Sequence, residues 1–189
     1  MNNIIVCAAF ALSCSGMALA QIENSGQRQE NTRNVVSAGV KEIIMTNESF
    51  IKQAAISNLA EIELSNLALR KNASPIVQSF AQRMQKDHGA TTKELQVIAK
   101  SKSIEIPTEL DDAHKSIYEK LSPLTGAEFD KQYSQQMQED HDQAIALFAT
   151  AVDDKRLDPQ LQQFAAKMLP VLRDHQQAAH SLLGDKAKQ

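Results

Sequence analysis

The chain has 189 residues, a formal net charge of −3, 42% hydrophobic and 23% charged residues, and no tryptophan. That length allows one domain with a sizeable core, and a slightly acidic chain without a basic patch excludes nucleic acid as a main partner. Aromatic residues make up only 4%, so Ala, Leu, Ile and Met must fill the interior, a set that suits helices better than strands.

The first 20 residues stand apart. Residues 4–20 carry no charge, and the apolar run 4–12 has the length of a signal-peptide core while being too short to span a bilayer. Ala18-Leu19-Ala20 fits the A-x-A cleavage pattern. This predicts a signal peptide over 1–20, a cut before Gln21, and a periplasmic or secreted mature protein. Both cysteines, Cys7 and Cys14, fall in this segment, so the mature chain has no disulfide, no thiol nucleophile and no thiolate metal site. Ala11-Leu12-Ser13, ahead of Cys14, is a poor lipobox. No later apolar run reaches the length of a transmembrane helix.

Residues 21–45 begin polar and read as a flexible leader, with a short helix over 35–45 as the other reading. The domain proper is expected over 46–185, with four long helices. The first covers 48–71, after Thr46 and Asn47 as capping candidates. The second covers 75–102, with Ser74 as N-cap and Pro75 at the first helical position. The third follows Thr125-Gly126-Ala127-Glu128, a capping-box pattern, and runs to 153. The fourth, from Asp158 and Pro159 to 183, ends before Gly184 and contains Pro170, which should kink it. Between the second and third helices lies a connection over 103–124, with Pro107, Pro123 and a short helical piece at 110–121. Two short hairpin turns around one long crossover are the connectivity of a ferritin-like four-helix bundle; a plain up-down bundle with a decorated loop is the alternative.

The second and third helices repeat one pattern. Phe80-Ala81-Gln82-Arg83-Met84-Gln85-Lys86-Asp87-His88 matches Tyr133-Ser134-Gln135-Gln136-Met137-Gln138-Glu139-Asp140-His141. The fourth carries a looser version, Phe164 to Met168 and then Asp174-His175. At 100° per residue, Ile76, Phe80, Met84, His88, Thr91, Leu95 and Ile98 share a face. Phe129, Tyr133, Met137, His141, Ala144 and Phe148 share another, and Leu161, Phe164, Met168, Leu172, His175, Ala179 and Leu182 a third. On the first helix Phe50, Ala54, Ser57, Glu61, Leu64 and Ala68 align, whereas Glu63 falls with Lys52 and Arg70. At about 1.5 Å per residue, Glu61, His88, His141 and His175 each stand roughly 20–25 Å along their own helices. One carboxylate and three imidazoles are therefore expected to meet at one level of the core.

The blocks Ala60-Glu61-Ile62-Glu63-Leu64, Phe80 to His88, Gly126-Ala127-Glu128-Phe129-Asp130, His141, and Leu169-Pro170 with His175 resemble a bacterial envelope family, domain-of-unknown-function family 4142. Its members are often labelled predicted outer membrane proteins. The resemblance spans roughly 50–183 and implies a ferritin-like helical fold and an exported protein, but brings no activity. The outer-membrane label finds no support in the sequence, which lacks the alternating strands of a membrane barrel.

Ferritin-like di-iron sites need Glu-x-x-His on two helices. Here Gln85, Gln138 and Leu172 occupy the positions three before the histidines, which argues against such a site. Two readings remain. In the first, the chain is a structural or binding bundle without catalytic activity, its Glu61 and histidines forming a buried hydrogen-bonded cluster that sets helix register. In the second, Glu61, His88, His141 and His175 hold a single transition-metal ion, Zn, Fe, Mn or Cu, in a storage or oxidative-stress role. Met84, Met137 and Met168 lie nearby and make copper one of the choices, although methionine stripes are ordinarily core. His114 and His180 read as surface residues. No Ser-His-Asp set, phosphate loop or CxxC motif occurs. The partner is left open between another envelope component and a second copy of the chain.

Overall fold

The computed structural model describes residues 45–184. The expected signal peptide and leader lie outside the described residues. Five helices and no strand occur among those described: α1 (Asn47–Arg70), α2 (Pro75–Ser101), α3 (Asp112–Leu121), α4 (Gly126–Asp153) and α5 (Pro159–Gly184). The four long helices are the four expected from periodicity, and α3 is the short piece expected inside the connection.

Local chemistry explains most of the boundaries. Thr46 caps α1: its hydroxyl accepts from the Ser49 amide while the Ser49 hydroxyl accepts from the Thr46 amide, a reciprocal capping box. Asp111 caps α3 through the amide of His114, and Asp158 accepts from the amide of Gln160 at the start of α5. Two expected caps do not form. Ser74 makes no side-chain cap bond, and neither does Thr125. Gly126 enters α4 at φ +58°, a left-handed turn that glycine tolerates and that diverts the chain from an ordinary capping path. Glu128 takes a hydrogen bond from Gln132 instead. The helix α5 continues through Pro170.

Contacts at the helix ends establish the topology. The amide of Ser74, at the start of α2, donates to both carboxylate oxygens of Asp130, near the start of α4. At the other end the Lys102 ammonium pairs with Asp158 at 2.6 Å, and the Asp158 amide donates to the Asn47 side chain at 2.9 Å. So α2 and α4 begin at one end of the bundle, and α1 and α5 begin at the other. The crossover must then travel its full length. Ile104 and Ile106 pack on the apolar cluster near the start of α1, while Leu121 is buried in the cluster at the opposite end. This is the ferritin-like connectivity, and the up-down alternative is excluded.

The core comes in two apolar halves. One gathers Phe50, Leu95, Phe148, Leu161 and Phe164, with the Phe50 and Phe148 rings edge-on at 5.3 Å. The other gathers Leu64, Phe80, Met84, Phe129, Tyr133 and Met137. Between them lies a buried polar layer. The α2 stripe departs from expectation at its start: Ile76 is 40% exposed and Val77 takes its place inside. Each four-residue step overshoots a full turn by about 40°, so two steps back from Met84 the face has rotated away from the core.

Candidate metal centre

Each long helix contributes one member of the polar layer: Glu61 from α1, His88 from α2, His141 from α4 and His175 from α5. None is more than 2% exposed. The structure brings all four together. The Nε2 atoms of His88 and His141 lie 2.9 Å and 3.2 Å from one oxygen of Glu61. The three imidazole centroids are separated by 5.7, 5.2 and 5.4 Å, and one nitrogen from each ring falls within 4.8 Å of the others.

The far side of every ring is occupied by an oxygen. His141 Nδ1 lies 2.7 Å from the Met137 carbonyl, His175 Nε2 lies 3.0 Å from the Asp87 carboxylate, and His88 Nδ1 lies 2.9 Å from the Asn58 side-chain oxygen. A carbonyl or carboxylate oxygen only accepts, so these nitrogens carry the protons. In a neutral ring the other nitrogen then presents a lone pair, and those nitrogens are His88 Nε2, His141 Nε2 and His175 Nδ1. All three, with both oxygens of Glu61, are buried and make no hydrogen bond. The short approaches of His88 and His141 to Glu61 are close in distance but off-line in direction. Glu61 thus lies against His88 and His141, and one nitrogen of each of the three rings faces the other two.

Without an ion, the electrostatics favours a proton on His88 paired with the Glu61 carboxylate, a proton that a bound cation would displace. Burial pushes the Glu61 carboxyl up, but the imidazoles of His88, His141 and His175 outweigh it and hold the group below its ordinary range. Burial pulls His88 down, and the Glu61 carboxylate more than reverses this. His175 is lowered to about 4, chiefly by burial and further by His88 and His141, so it stays neutral. Asp87 is held low by His175 and Arg83 against its partial burial. Asp140, beside His141, is raised to about 7, first by burial and further by the charge of Glu61.

The three methionines pack into the apolar halves on either side of the cluster. Met84 and Met137 belong to one apolar half and Met168 to the other; the Met168 sulfur accepts from Thr91, and Met137 serves the cluster through its backbone carbonyl. His180 is exposed, whereas His114 is half-buried. Ser57, expected on the inner stripe of α1, is only half-buried, and Asn58 is the buried neighbour. Asn58 was missed as the partner of His88. The signal that could have found it is its position three residues before Glu61, on the same face of the helix. Tyr133 and Ser65 form a second buried polar pair at 3.2 Å.

The sequence pattern of a family described as "Domain of unknown function (DUF4142)" matches residues 26–182. Among curated proteins none matches the sequence. In fold, the chain is similar to a solved structure titled "Crystal structure of DUF305 fragment from Deinococcus radiodurans", with a TM-score of 0.66, 15% identity, and coverage of 74% of this chain and 95% of that one. At that identity the likeness concerns the fold alone.

Proposed function

We propose, on the premise that the chain belongs to the DUF4142 family, that it is a metal-binding bundle in which Glu61, His88, His141 and His175 hold one divalent transition-metal ion. One observation carries the reading: three buried imidazoles, each with its outer nitrogen tied to an oxygen, bring one nitrogen apiece within 4.8 Å of one another, with the Glu61 carboxylate against two of them. Lone pairs and a carboxylate facing each other without water repel unless a cation lies among them. Outer oxygens that fix the ring tautomer are the usual support of histidine ligands. Nitrogens at the outer limit of 4.8 Å apart would stand about 2.8 Å from a central point, against about 2.0–2.1 Å for a zinc–nitrogen bond. Binding would therefore draw each ring inward by about 0.7 Å. Three imidazoles and one carboxylate are a donor set that suits zinc, iron, manganese or copper. We place this role in the periplasm or outside the cell on the strength of the first 20 residues, and favour holding or storing the ion over catalysis.

Metal removal tests the reading. Protein stripped with chelator should melt lower than protein reloaded with one equivalent of ion. At free metal about a hundredfold above Kd the gain is about 2.7 kcal/mol, or roughly 5–10 °C for a domain of this size. His141→Ala should remove the part of the metal response that belongs to the cluster and cost about 1–3 kcal/mol by itself, because it unpairs buried polar groups. Identical melting with and without chelator, together with no metal in protein purified from its native compartment, would sink the proposal. The cluster would then be a proton-holding device that fixes helix register.

A further inference from the structure

The cluster uses Glu61 and three histidines but leaves Asp140 unexplained. Asp140 precedes His141 on α4, is 7% exposed, and receives a hydrogen bond from Gln136 on Oδ1 alone. Its Oδ2 is buried with no partner. The residue lines a partly open cavity of about 190 Å³ between α1, α4 and the start of the crossover helix α3.

From α3, His114 lines the same cavity. Its Nδ1 lies 2.6 Å from the Asp111 carboxylate, which only accepts. The proton is thus fixed on Nδ1, and Nε2 is left as a ligand atom with the carboxylate support typical of metal-binding histidine. The inner wall is the back of the cluster: Ser57 stands one helical turn before Glu61, and Asp140 stands next to His141. No lysine or arginine lines this cavity. The groove on the other flank, beside Asp87, differs. There the carboxylates are already paired, Asp87 and Asp174 with Arg83 and Glu94 with Lys167, so none is left without a counter-charge.

We propose that the cavity beneath α3 is an outer binding site for a divalent transition-metal cation, held by the Asp140 carboxylate and His114 Nε2, from which the ion passes to the inner cluster. This rests on the inner cluster being a metal site. It makes α3 part of the route by which the ion reaches a buried centre, and it provides Asp140 with the counter-charge that its buried oxygen lacks. No bond other than coordination is made or broken.

The test uses the mature full-length chain, stripped with chelator, and Co(II), whose visible absorption reports its ligands. The wild type should hold two Co(II) per chain by equilibrium dialysis with elemental analysis. His114→Ala lies outside the cluster on a half-exposed face; it should hold one, and fill the cluster more slowly than the wild type in stopped-flow mixing. Asp140→Asn should do the same, and circular dichroism verifies that both variants are folded. The proposal is overturned by a wild type that holds a single ion, or by variants that fill the cluster at the wild-type rate. His141→Ala separates the two readings. Retention of one Co(II), lost on adding His114→Ala, supports both sites, whereas retention of two defeats the inner reading and with it the relay. A wild type that takes up no Co(II) overturns both.

Discussion

At the scale of single residues, the side chains that matter are those whose charge the bundle has to settle. Asp140 is the clearest. Its carboxyl is raised from 3.8 to about 7 because it is buried with one oxygen unpaired and with Glu61 nearby. A raised folded pKa means that the folded state holds the proton more tightly than the unfolded chain. The stability so contributed is present below about 3.8 and is lost as pH rises through about 7. At about 1.4 kcal/mol per pKa unit the full swing is on the order of 4 kcal/mol. Asp140→Asn cannot ionise, so in the presence of chelator its stability relative to the wild type should climb between pH 4 and pH 7 and then level off. Denaturant unfolding of both proteins at several pH values checks this, and a constant difference across the range would contradict the assignment. His175 has the opposite sign. Lowered to about 4, it contributes stability above its unfolded value that is lost as pH falls, but it is common to both proteins and cancels in the comparison.

At the scale of the element, each long helix is an apolar stripe that carries, near its middle, one polar group of the cluster. The stripe supplies most of the burial, and that group sets register: sliding one helix by a turn would place an imidazole or Glu61 in an apolar half without a partner. Helix ends are settled separately. Of the caps expected from sequence, Thr46 forms a full reciprocal box and Thr125 forms none. Thr46→Ala should therefore lower stability by about 1 kcal/mol, and Thr125→Ala should have little effect. Chemical denaturation of the pair reads the difference directly, and equal losses would show that the Thr46 bonds do not carry the helix start.

At the scale of the whole molecule, the crossover brings α1 alongside α4 and lays α3 across that side, so the bundle has one flank covered by a helix and one left as an open groove. The covered flank holds the cavity lined by Asp140 and His114, and the open flank carries Arg83. No described helix is long and apolar enough to cross a membrane. We propose export on residues 1–20, and intact-mass analysis of the mature protein should find Gln21, or its pyroglutamate form, at the N-terminus. Recovery of the chain with Met1 intact from the cytoplasm would refute it.

Much of this protein follows from one-dimensional patterns. The spacing of Phe80, Met84 and His88, and of Tyr133, Met137 and His141, is a helical period that any α-helix must express on one face, so the four long helices and the shared height of Glu61, His88, His141 and His175 were legible from the sequence. Family membership was legible for the same reason, being carried by contiguous blocks. Three things were decided only by tertiary structure. Whether the connection crosses the bundle depends on which ends meet, and that is settled by Ser74 with Asp130 and Lys102 with Asp158, pairs far apart in sequence. Which ring nitrogens face inward depends on Asn58, Asp87 and the Met137 carbonyl, because a tautomer follows from its acceptor and not from spacing. The burial of Asp140 depends on a cavity roofed by α3, and a helix period cannot anticipate that, since it assigns a residue to a face but not to what covers the face.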